Sequence, residues 1–217
     1  MPLCPTRALS PADRVAEALR ALWPGAVVAS TRTLYGPRVR AEVVHDGVAL
    51  TVDLHHGQGG RQPVALTTVR AGCVTRGLVM RVMAARSIPS SWTPWRPPRP
   101  SLQDLGVIAA PTQCVATLLD AVTLDALAAV GANPDAYLTL TVERDGVELS
   151  LYGWPGDPSA AAHLAGIVAR VARAVETAVA AAGGDFHAHP EVHALAAWDA
   201  RRKRIARGGA QPAAGMG

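Results

Sequence analysis

Lysine is almost absent from this chain. Twenty of its 21 cationic residues are arginine, and Lys203 stands alone near the end of the sequence. A phosphate-loop NTPase needs a lysine inside a glycine-rich turn, and Schiff-base chemistry needs one at the reacting centre, so both are excluded before residue 203. Cysteine is scarce and odd in number. Cys4, Cys73 and Cys114 lie far apart with no C-x-x-C spacing, which removes zinc ribbons and dithiol motifs and favours reduced thiols in a cytoplasmic protein. Aromatic residues number nine in 217, and no aromatic pair is expected on a strand, as a base-stacking platform would need. The longest stretch free of charged residues, Leu105 to Leu119, is fifteen residues and contains Pro111. It is too short and too broken to span a bilayer. Met1 to Arg7 carries no apolar run that would act as a signal peptide. No G-x-S-x-G, H-E-x-x-H or G-x-G-x-x-G motif occurs.

What remains is a chain able to build a core. Hydrophobic residues make up 49% and charged residues 18%, which excludes global disorder. Ser10-Pro11-Ala12-Asp13 is a helix start, with Ser10 as cap and Asp13 at the positive dipole end. Val15, Leu19, Leu22 and Trp23 follow at helical spacing. Strand patterns then run over Ala26 to Leu34, Val39 to Val44, Val48 to Leu54, Pro63 to Val69 and Leu78 to Met83, with His45-Asp46-Gly47 as a hairpin turn. A helical stripe at Val115, Leu118, Leu119 and Val122 and another at Leu124, Leu127 and Val130 precede a second hairpin around Arg144-Asp145-Gly146. A long amphipathic helix after Asp157-Pro158 carries Leu164, Ile167, Val168, Val171, Val175, Ala178 and Val179 on one face. A last helix is expected from Pro190 to about Arg207.

These patterns predict an α+β fold of two β-rich halves with peripheral amphipathic helices. The expected units are residues 1–86, a Pro/Trp/Arg connector over 87–111, a helix-hairpin-helix half over 112–184, and a basic helix with tail over 185–217. The two hairpins match at a constant offset, Asp46-Gly47-Val48 against Asp145-Gly146-Val147, which suggests a duplicated unit. The run Leu118-Leu119-Asp120-Ala121-Val122-Thr123-Leu124-Asp125-Ala126-Leu127, followed by strand, Asp145-Gly146, strand and an Ala/Val-rich helix, resembles uncharacterised two-part α+β proteins of high-GC bacteria over residues 37–182. The resemblance implies an arrangement of elements and no activity.

Candidate chemistry is local and sparse. His187, His189 and His193 are the metal candidates. His189 and His193 share a helical face if His189 joins the helix, while Pro190 favours His189 as a cap. The segment His55 to Arg61 reads as a loop between strands, either a plain connector or a glycine-rich anion cradle. No cofactor is expected.

Charge is the more informative signal. Residues 61–100 hold seven arginines and no acid, residues 101–199 hold three arginines and twelve acids, and residues 200–217 add five cations. Such blocks face each other within one fold, meet a partner or second copy, or touch nucleic acid. The leading expectation is a non-catalytic binding or assembly module. Its partner-binding residues are Trp92, Trp95, Arg96 and Arg99 in the connector and Trp198, Arg201, Arg202 and Arg204 in the last helix. The alternatives are a nucleic-acid-binding protein using the 61–100 arginines with the basic helix, and a metal-dependent enzyme using the three histidines.

Overall fold

Alternation of apolar and polar side chains drives much of the chain into strands, because each strand then buries one face and leaves the other polar. The structure, a computed structural model, describes residues 10–34, 36–59, 62–88, 95–98, 102–131, 137–152, 158–183 and 185–208. Eight strands, β1 (Val27–Thr33), β2 (Gly36–His45), β3 (Val48–Gly59), β4 (Gln62–Gly72), β5 (Val79–Ala84), β6 (Leu105–Ala110), β7 (Tyr137–Glu143) and β8 (Gly146–Tyr152), form one sheet. Its order is β1-β2-β3-β4-β8-β7-β5-β6, and every neighbouring pair is antiparallel. The β7–β8 hairpin therefore enters between β4 and β5. One hairpin from after residue 111 is thus inserted among strands from before residue 87 in a single sheet.

One cross-strand row shows the buried face. Val28, Ala41, Val52, Val69, Leu149, Leu140, Val82 and Val107 stand side by side across all eight strands. All but Val28 are at most 1% exposed. The next residue of each strand points the other way. That row reads Val27, Glu42, Thr51, Arg70, Glu148, Thr141, Arg81 and Ile108.

Four helices cover the apolar face. In α1 (Pro11–Leu22), Ser10 accepts from the Asp13 N–H at 3.2 Å, and the Asp13 carboxylate accepts from the Ser10 N–H at 3.3 Å, closing a capping box. Helix α4 (Pro158–Ala181) lies over β2, β3, β4 and β8, with α1 on one flank and α2 (Val115–Leu118) and α3 (Ala121–Gly131) also against it. Those flanks widen its buried stripe to include Ala160, Ala161, Ala165, Ala169 and Ala172, while His163, Arg170, Arg173 and Glu176 stay exposed. Helix α5 (Pro190–Gly208) lies on the opposite face, where Leu195, Val192 and Trp198 cover Ile108, Ala110, Val79 and Ile88. The α+β class is the one expected.

Four local features differ from the sequence expectation. The connector contains β6, because Leu105–Ala110 is an apolar run able to close the sheet beyond β5. The stripe through Val122 breaks after Leu118. Asp120 caps α3 instead, its carboxylate accepting from the Thr123 N–H at 2.7 Å, and Val122 is left 53% exposed. The expected loop from His55 is mostly ladder, since pairing continues through His56↔Ala65 to Gly59↔Gln62; Gly60 and Arg61 lie outside the described residues.

The two similar hairpins also turn differently. His45 pairs with Val48 around Asp46-Gly47, whereas Glu143 pairs with Gly146 around Arg144-Asp145. Gly146 lies so close to β4 that a Cβ there would stand 2.1 Å from the Ala71 carbonyl oxygen. The ladder needs glycine at that point, and the turn shifts back to the preceding pair.

Among the described residues, no single helix is long and apolar enough to cross a membrane. The apolar pair Thr112–Leu118 and Ala121–Val130 bends by 79°, and Leu118, Leu124, Leu127 and Val130 are buried in the core.

Candidate functional site

The polar face of the sheet is a field of matched charges. Arg70 on β4 faces Glu148 on β8, with Nε 2.5 Å from Oε2. Arg81 on β5 pairs with Glu143 on β7; on the helix side of the sheet, Arg173 on α4 reaches Asp46 of the β2–β3 turn at 3.4 Å. The first two pairs join the basic 61–100 segment to the acidic segment after it, so part of the sequence-level charge separation is neutralised within one chain. Deeper in the polar face, Arg38 holds the buried Asp53, its Nε donating to both carboxylate oxygens at 2.9 and 3.0 Å. That contact raises the Arg38 pKa above its ordinary value, through hydrogen bonding first and charge second. His55 Nδ1 stands 3.4 Å from Asp53 Oδ1. Ser150 lies two strands from Asp53 in the same row, roughly 10 Å away at normal strand spacing. Its hydroxyl bonds Thr68 at 3.1 Å and Glu148 at 3.2 Å. Asp53, His55 and Ser150 thus fail to assemble as a nucleophilic triad.

Tyr137 and Tyr152 also share this face. They are cross-strand partners with ring centroids 6.0 Å apart and 54° between planes. The sequence expectation of no aromatic pair on a strand is corrected here. The two residues stand at opposite ends of one hairpin and meet through the β7–β8 register.

The connector and the last helix converge on β6. Trp95 forms an isolated antiparallel bridge with Val107, exchanging both backbone hydrogen bonds at 3.0 Å, and it packs against the helix-side core. Its neighbour Arg96 is exposed, with one guanidinium nitrogen 3.3 Å from the Gln103 carbonyl oxygen. On the other face of the same strand, Trp198 is half-buried beside Leu195 over Ile108 and Ala110. Trp92 and Arg99 lie outside the described residues, and for Arg201, Arg202 and Arg204 only the backbone, within α5, is described.

Of the three candidate histidines, His189 is half-buried, whereas His187 and His193 are exposed. His189 Nδ1 accepts from the Glu191 N–H at 3.3 Å at the start of α5, and the His187 N–H donates to Asp185 at 2.8 Å. Glu191 is turned away toward Thr112, accepting from its N–H at 2.6 Å and its hydroxyl at 2.9 Å. Among the described residues, no three His, Cys, Asp or Glu side chains come together to hold a metal ion. Burial, then the charge of Glu176, pushes the Cys73 thiol up to about 11. Burial, then Glu191, also raises that of Cys114. Both stay protonated, and therefore weakly nucleophilic, at neutral pH.

Sequence reasoning did not find Arg38–Asp53–His55. The i, i+2 spacing of Asp53 and His55 on a strand puts both on one face, but nothing local points to Arg38 as their partner. No family model matches the chain, and no curated protein matches it. Among solved structures, it is similar to the crystal structure of the mycobacterial trehalose monomycolate transport factor A, at 8% identity and a TM-score of 0.45, over 76% of this chain and 93% of that one.

Proposed function

We propose that the protein is a non-catalytic binding module that holds an acidic protein surface along the outer edge of β6. The contacts are Trp92, Trp95, Arg96 and Arg99 of the connector, and Trp198, Arg201, Arg202 and Arg204 of α5. One observation carries this reading. Two segments far apart in sequence, each carrying tryptophan and arginine, meet on one edge strand, Trp95 on its rim and α5 across its Ile108 and Ala110 face. Tryptophan and arginine supply buried area and forked hydrogen bonds, which is why they dominate binding hot spots. The pairing of Arg70 and Arg81 with glutamates weighs against nucleic acid, because it spends cations that phosphates would otherwise attract.

The test compares the tagged chain with its R96E/R201E/R202E/R204E variant in capture from the source cell, with and without nuclease. The expected result is a protein retained by the unmodified chain, lost by the variant and indifferent to nuclease. Identical capture by both chains overturns the reading, and loss of capture on nuclease treatment transfers it to nucleic acid.

A further inference from the structure

A cavity of about 670 Å³ opens where the β4–β5 link, the β7–β8 turn, α4 and the α4–α5 link meet. This is where the β7–β8 hairpin wedges into the sheet, so the short link after β4 must pass the hairpin turn. The Cys73 N–H donates to the Asp145 carbonyl at 3.0 Å, and the Thr75 hydroxyl donates to the Arg144 carbonyl at 2.5 Å. The cavity is open to solvent: exposed Arg76, Arg144 and His187 line it together with exposed Asp145 and Glu176, and buried Cys73 borders its floor.

Backbone strain is concentrated at this place. Among the described residues, three that are not glycine have a left-handed φ, and two of them, Arg76 (50°) and Arg144 (47°), line this cavity. The third, Asp46, sits in the β2–β3 turn, where aspartate suits such a backbone. Arginine is disfavoured there, and glycine would fit without strain. The surrounding structure holds both arginines in place. The Phe186 N–H donates to the Arg76 carbonyl at 2.7 Å. At Gly77 (φ 88°), a Cβ would meet the His187 backbone nitrogen at 2.7 Å, so the α4–α5 link is pressed onto this turn. Among the described residues, neither guanidinium has a carboxylate within 4.0 Å. Such conformations persist only when the surrounding structure over-determines them, and they cluster at ligand clamps and active sites.

We infer that the cavity binds a small molecule carrying an oxyanion, phosphate or carboxylate, held by Arg76 and Arg144, and an amine facing Glu176. The guanidinium fork matches both oxyanions. The Glu176 carboxylate has no cationic partner within 4.0 Å among the described residues, and its field reaches Cys73, so it favours a cation nearby.

The test is calorimetric titration of the full chain with four probes: phosphoethanolamine, β-alanine, inorganic phosphate and ethanolamine. At least one two-charge probe should bind roughly tenfold or more tighter than either single-charge probe, and the contrast between phosphoethanolamine and β-alanine assigns the oxyanion. R76Q/R144Q should weaken that binding at least tenfold, and E176Q should remove the preference for the amine. Independently, R76G and R144G should each raise the Tm of the free protein by about 2–4 °C while losing the ligand, because glycine relieves the backbone. No binding at about 10 mM of any probe, binding that survives R76Q/R144Q, or glycine variants that melt no higher each overturn the inference.

Discussion

Leu149→Ala tests whether the sheet is one cooperative body. Leu149 is fully buried in β8, flanked in register by Val69 of β4 and Leu140 of β7, with α4 packed against the same strands. Truncation leaves a cavity that neither neighbouring strand can fill without moving the ladder, so the cost should fall well within the usual range for a buried leucine, about 3–4 kcal/mol. For a chain of this size that lowers Tm by roughly 6–16 °C. Val44→Ala, at a side chain 67% exposed, is the control and should change stability by less than about 0.5 kcal/mol. The assay is urea unfolding followed at single tryptophans. Trp23 reports the α1 end of the sheet and Trp198 the β6 end. Because β7–β8 lies between β4 and β5, both probes should give the same midpoint, and Leu149→Ala should shift both equally. A cost below about 1 kcal/mol, or midpoints that separate, would refute the claim that the interleaved strands unfold together.

Three further outcomes follow from particular contacts. Arg38→Ala should cost about 2–4 kcal/mol, because it strands a carboxylate whose side chain is only 4% exposed. Asp53→Asn should cost only about 1 kcal/mol, because the 40% exposed guanidinium can turn to water; chemical denaturation showing the reverse order would contradict the burial argument. Asp120 is held below the ordinary carboxylate range by the Thr123 backbone N–H, so its folded pKa is depressed. Its contribution is full above the unfolded value near pH 4 and is lost as pH falls through the folded one. Asp120→Ala should lose about 1 kcal/mol at pH 7, and the Tm gap between the unmodified chain and Asp120→Asn should shrink toward pH 3; a gap independent of pH would count against the cap. With Cys4→Ser as background, Cys73, its pKa near 11, should react with a thiol reagent at pH 8 at least ~100-fold slower than a free thiol. Cys114 should also be slow, and both should react fully in denaturant; a fast native thiol would show that burial does not protect them.

Much of this architecture could be read locally. Strands β2 to β4, both hairpins, the α1 cap and the α4 stripe follow from period-two and period-3.6 patterns and from capping chemistry, which depend only on neighbouring residues. Strand order does not. Nothing in Leu105–Ala110 says whether an apolar run between prolines closes a sheet or merely crosses one. The turn shift at Gly146 depends on the approach of Ala71, a contact made only once β8 lies beside β4. The charge blocks were visible, but the pairing of Arg70 with Glu148 required the register. Trp95 and Trp198 stood out as residues, whereas their meeting on opposite faces of β6 is a property of the fold. The left-handed arginines carry no sequence signal, because nothing at Arg76 or Arg144 resembles the residues that usually fill such a backbone.

Site-specific photo-crosslinking addresses the β6 edge most directly. A benzophenone side chain at Arg96, or at the exposed Ala197 of α5, should crosslink a protein partner in the source cell, while the same group at Thr31 on β1, the opposite edge of the sheet, should not. Crosslinks from Thr31 alone, or equal yields from all three positions, would contradict the assignment of recognition to β6.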